Sequence, residues 1–96
     1  MATFSITGGV ISPRKLDVGP GYTIAVCNND ETTYTWDNTS PNAKNLFVSG
    51  ATTGSSPPGQ SIMGIVSNNA QNEHFTHISF NTVPDSGGDV TVNVGT

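Results

Sequence analysis

The chain has one cysteine, Cys27, among its 96 residues, so no intrachain disulfide can form and a disulfide-stapled framework is excluded. Basic residues are nearly as scarce. Only Arg14, Lys15 and Lys44 stand against seven acids, giving a net charge of -4. A chain with so few cations lacks the electrostatic footprint for phosphate backbones or anionic lipid, which removes nucleic acid and membrane surfaces as partners. No window approaches the roughly 18 apolar residues of a spanning helix. The stretch Met1 to Ile6 has neither a basic nor an apolar signal region. The expectation is a cytoplasmic protein, or one exported by a leaderless or processed route. Helical periodicity is missing too: no stretch of 11 or more residues spaces its apolar groups at helical intervals.

What is present is a polar β-sheet vocabulary. Charged residues make up 10% of the chain, and solubility falls to thirteen Thr, ten Ser and ten Asn. Short alternating runs recur between turn signals. Phe4 and Ile6 alternate with Thr3 and Ser5, Leu16 and Val18 with Lys15 and Asp17, and Tyr22, Ile24 and Val26 with Thr23, Ala25 and Cys27. Tyr34 and Trp36, Leu46 to Val48, Ile62 to Val66, Phe75 to Phe80, and Val90, Val92 and Val94 complete the series. Turn spacings of about 8–12 residues predict a single all-β domain over residues 1–96, a Greek-key β-sandwich of seven or eight strands. The Pro- and Gly-rich stretch Gly50 to Gly59 reads as a loop, Asn68 to Glu73 as a polar turn, and Val83 to Gly88 as the last turn. The expected inward set is Phe4, Ile6, Leu16, Val18, Tyr22, Ile24, Val26, Ile62, Ile78, Phe80, Val90, Val92 and Val94.

Gly19-Pro20-Gly21-Tyr22-Thr23-Ile24-Ala25-Val26-Cys27-Asn28-Asn29-Asp30 is a Gly-rich turn feeding a strand that stops at a polar turn. It resembles the cupredoxin segment "V-x-x-G-x-T-V-x-x-x-N-N-D", which leads to the first copper-binding histidine. Pro58-Gly59-Gln60-Ser61, the run Phe75 to Phe80, and Gly88-Asp89-Val90-Thr91-Val92-Asn93 are similar to that family's Pro-Gly turn, its strand before the ligand loop and its closing "G-x-V-T-V" strand. The resemblance implies a cupredoxin-like topology, with an immunoglobulin-like one as the alternative. It also implies where copper ligands would stand: Tyr34 at the first histidine, Ile78 at the cysteine, Asn81 at the second histidine and Ser86 at the methionine. None of the four is a ligand type, so the expectation is a copper-free domain with no metal or other cofactor.

Cys27, His74, His77 and Met63 are the candidates for rebuilding a two-imidazole, one-thiolate site. Residues three apart on a strand face opposite ways, so His74 and His77 share an ion only if the strand begins after His74. A metal-binding electron carrier or stress protein using His74 and His77 is the alternative function. Calcium would need Asp30-Glu31, Asp37-Asn38, Asp85 and Asp89 to meet at one pole; turn-shaping is the favoured role for Asp30 and Asp85. No strained nucleophile motif is present, and no enzyme is expected. The sequon Asn38-Thr39-Ser40 runs into Pro41 and reads as incidental.

The remaining reading is a non-enzymatic binding or assembly module. Tyr34, Trp36, Asp37 and Asn38 form the candidate ligand-binding set for a carbohydrate or protein surface, because an aromatic beside amides and carboxylates is the chemistry that stacks on sugar faces. The competing and favoured role for Trp36 is core filling. Homo-oligomer formation is the assembly form of the same reading, since low charge leaves sheet edges poorly defended.

Overall fold

The computed structural model describes residues 2–81 and 88–95. Its described strands are β1 (Ala2–Thr7), β2 (Val10–Ser12), β3 (Lys15–Val18), β4 (Thr23–Asn28), β5 (Tyr34–Asn38), β6 (Thr53–Ser56), β7 (Gly59–Ile65), β8 (Glu73–Phe80) and β9 (Asp89–Val94). They form two facing sheets. One has the order β2-β1-β4-β7 and the other β3-β9-β8-β5-β6. Both are mixed: β1 runs parallel to β4 and β3 parallel to β9, while the other pairs are antiparallel. Of the predicted turn over Val83 to Gly88, residues 83–87 lie outside the described residues, and with them Ser86 and the calcium candidate Asp85.

Period-2 alternation does the sorting. Phe4 and Ile6 on β1, Ile24 and Val26 on β4, and Val90, Val92 and Val94 on β9 point into the space between the sheets and are buried. Phe4 and Phe80 meet edge to face across that space, with ring centroids 5.8 Å apart, and Trp36 and Phe47 do the same at 5.7 Å.

Two members of the expected core lie at the surface. Tyr22 is 51% exposed because it sits in the Gly19–Tyr22 turn before β4 begins. Ile62 is 67% exposed because the β4–β7 register shifts between Ile24 and Ala25. The shift pairs Ile62 with outward-facing Ala25 and sends Met63 inward instead. Leu16 is only half-buried, packing against the core from the edge strand β3.

Two loop and strand expectations also change. Leu46 and Phe47 are both buried and close the interior as a plug, with a single bridge from Phe47 to Val66 rather than a strand. The Gly50 to Gly59 stretch contains β6, which pairs with β5 from Tyr34↔Ser56 to Asp37↔Thr53. Strand β6 has no apolar residue to announce it. With these changes the described strands number nine rather than seven or eight.

Candidate functional site

The β4–β5 connection builds a clamp at one end of the sandwich. Gly8 and Gly9 both take positive φ, +60° and +74°, which makes the tight β1–β2 hairpin turn and aims two successive amides the same way. They donate to the carboxylate of Asp30 at 2.7 and 2.9 Å. The Tyr34 hydroxyl donates to the same carboxylate at 2.7 Å. The Tyr34 hydroxyl, then the Gly9 and Gly8 amides, hold the Asp30 carboxyl below its ordinary range. The carboxylate in turn raises the Tyr34 phenol, with burial and the Asp30 charge adding to the effect. Asn28, fully buried, ties the clamp down: its amide donates to the Thr32 and Ser56 carbonyls and its Oδ1 accepts from the Asp30 amide. Asp30 is a turn-shaping residue, as its place in the sequence implies.

The four candidate ligand-binding residues do not converge. Alternation on β5 buries Tyr34, Trp36 and Asn38 and turns Asp37 to the outer face of its sheet, where it accepts a hydrogen bond from the Asn81 amide at 3.3 Å. Tyr34 and Asn38 lie about 13 Å apart at strand rise, one at each end of β5. Trp36 is 3% exposed and packs on Phe47, so it offers no face for stacking; the core-filling role is the one it has.

Asn38 instead opens a second region at the opposite end. Its Oδ1 accepts from the Ser40 amide at 3.1 Å, an Asx turn that leaves β5 and leads into a 3-10 turn at Ala43–Asn45. Ser40 is buried and its hydroxyl accepts from the His77 amide. The result is an open groove of about 440 Å³ lined by Asn38, the segment from Ser40 to Asn45, and Thr52. The Asn38 Nδ2 is buried and has no hydrogen-bond partner. Asn38 belongs to the ligand-binding set expected from the sequence and lines this groove. Thr52, outside that set, joins the lining from the far side of the Asn45–Thr52 excursion.

The copper ligands implied by the resemblance have no counterpart at the matching positions. Tyr34 is engaged by Asp30, Ile78 is wholly buried in the core, and Asn81 donates its amide to Thr35 and Asp37. The alternative set does not assemble either. A bulge in β8 between Phe75 and Ile78 puts both His74 and His77 on the outer face, a route the spacing did not suggest. His74 is spent on Asn93, whose amide donates to Asp17. Cys27 belongs to the other sheet, its thiol donating to Asn29, and Met63 is buried between the sheets. Among the described residues, no three His, Cys, Asp or Glu side chains group closely enough to hold an ion. The described residues do not fit a blue-copper centre.

Solved structures give the fold. A purple cupredoxin from Nitrosopumilus maritimus is similar over 99% of this chain and 100% of its own, with a TM-score of 0.65 and 19% identity. The chain has a cupredoxin-like fold. Amicyanin variants agree: an oxidised proline-to-alanine variant gives a TM-score of 0.66 at 14% identity, and a Cu(I) methionine-to-alanine variant gives 0.64 at 13%, each over 97% of this chain and 80% of theirs. The immunoglobulin-like alternative gives way to this topology. No protein-family model and no curated protein sequence matches the chain.

Proposed function

We propose that this cupredoxin-like sandwich is a copper-free, non-enzymatic binding module whose ligand site is the polar groove beside Asn38. The supporting observation is the groove's lining, where the polar residues Asn38, Ser40, Asn42, Lys44, Asn45 and Thr52 surround an opening of about 440 Å³. Copper independence is supported by the clamp that commits Tyr34 to Asp30 where a ligand histidine would stand. Metal analysis of protein purified without chelators, followed by copper(I) and copper(II) titration, tests it. The expected result is no stoichiometric metal and no intense thiolate charge-transfer band. A strongly coloured one-to-one complex abolished by Cys27→Ser would overturn the reading in favour of an electron carrier.

Assembly through a sheet edge is a second reading, favoured by β7. It is the outer strand of its sheet, carries no charged residue from Gly59 to Ile65, and leaves Ile62 and Ile65 67% and 51% exposed. Such an edge is a template for a second copy of the same strand. Sedimentation velocity over a concentration series should show a reversible dimer that Ile62→Lys removes; a monomer at every concentration refutes it.

A further inference from the structure

We propose that β7 pairs antiparallel with β7 of a second copy about a two-fold axis at Ser61, joining the two β2-β1-β4-β7 sheets into one of eight strands; this rests on the reading of β7 as an assembly edge. Along a strand the amide and carbonyl of one residue point to the same side, and successive residues alternate. The Asn29 amide donates to the Ile6 carbonyl on β1, so Cys27 and Ala25 also turn toward β1, while Asn28 and Val26 turn toward β7. Their partners Gly59 and Ser61 face back to β4. The amides and carbonyls of Gln60 and Ile62 therefore point away from the sheet. Both ends of this free stretch are closed. Pro58 has no amide to offer, and past the bulge the Ile65 carbonyl accepts from the Val48 amide at 2.9 Å.

Two donors and two acceptors at that spacing select their own copy. Placing Gln60 opposite Ile62 of the second copy, and Ile62 opposite its Gln60, forms four backbone hydrogen bonds and pairs every outward group. Setting Ile62 against Ile62 puts Gln60 opposite Gly64, whose own groups turn back to β4, and only two bonds form. Charge permits the approach. The chain carries a net charge of -4, yet residues 45–72 contain no charged residue, and both β6 and β7 fall within them. These strands lie along one flank, where the Ser61 hydroxyl donates to the Ser55 carbonyl at 3.4 Å. Two copies meet there without opposing carboxylates. Ile62, 67% exposed, gains cover from Gln60 and, on the diagonal, from Ile62 of the second copy. Other outer strands are poorer partners, since β2 has three residues and β3 carries Lys15 and Asp17. Two-fold pairing consumes both β7 edges, so assembly closes at a dimer instead of growing into a filament.

Cysteine cross-linking of the full chain reads the register. In a Cys27→Ser background, which leaves one thiol, Ser61→Cys puts two cysteines on the axis as a pair without backbone hydrogen bonds, about 4.5 Å apart at Cα and within disulfide reach. Ile62→Cys puts them on the diagonal, about 7–8 Å apart and beyond it. Sedimentation velocity on the parent should show the reversible dimer, and under reducing conditions both variants should sediment like the parent. Mild oxidation should then link Ser61→Cys into dimers on a non-reducing gel and leave Ile62→Cys unlinked. A parent dimer with linkage through Ile62→Cys, or through neither variant, overturns the register and leaves assembly through β7 to its Ile62→Lys test. A parent that is monomeric at every concentration overturns both.

Discussion

The Trp36 indole lies directly over the backbone of Gly54, so close that a Cβ on Gly54 would sit 2.6 Å from the ring's Cε2 and Nε1. The two residues are cross-strand partners on β5 and β6. This contact explains how a strand of Thr, Gly, Ser and Ser earns a place in the sheet: its neighbour supplies the apolar cover on the inner face. Gly54→Ala should destabilise the fold by about 1–3 kcal/mol, because a rigid ring held against Phe47 must shift to admit the methyl. Chemical denaturation measures this directly, and an unchanged midpoint would contradict the packing.

Burial of Trp36 also has a spectroscopic consequence. Its emission should be blue-shifted and resistant to iodide quenching in the folded state, moving red on unfolding. Trp36→Ala should cost about 3–5 kcal/mol, as large core truncations do. Red-shifted, freely quenched emission from the folded protein would place the indole at the surface.

Asn28 bridges three backbone groups from inside the protein, on Asp30, Thr32 and Ser56. Asn28→Ala leaves those groups to find water or go unpaired, and a loss of about 3 kcal/mol is expected. Hydrogen exchange should locate the damage at the β4–β5 connection and the end of β6. A loss spread evenly over both sheets would argue against a local tie.

Much of this architecture was legible because alternation and turn chemistry are local. Phe4 and Ile6, or Val90 and Val94, need only the strand period to be placed inside. The misplacements have non-local causes. Ile62 is turned outward by a bulge in the β4–β7 pairing that leaves Met63 without a partner on β4, which period-2 counting cannot see. Strand β6 was lost because its inner cover belongs to Trp36. At the groove, Asn38 stands in the expected set because it follows Trp36 and Asp37, whereas its separation from Tyr34 follows from strand length, and the arrival of Thr52 from the fold alone.

The Asp30 clamp predicts a stability profile that falls off at both ends of the pH scale. Asp30 has a folded-state value below its ordinary 3.8, held there by Tyr34, Gly9 and Gly8, so its contribution is complete above that ordinary value and is lost as pH falls through the lowered one. Tyr34 has a folded-state value above its ordinary 10.0, so its contribution is complete below pH 10.0 and is lost as pH rises through the raised one. Thermal unfolding of the parent, Asp30→Asn and Tyr34→Phe across the pH range separates the two arms. Asp30→Asn should lower Tm at neutral pH and flatten the acid-side decline, because the group that must be protonated is gone. Tyr34→Phe should lower Tm less and flatten the alkaline side, since the Gly8 and Gly9 amides still hold Asp30. If both variants keep the parent's acid and alkaline slopes, the carboxylate and phenol are not coupled to folding and the clamp has no energetic role.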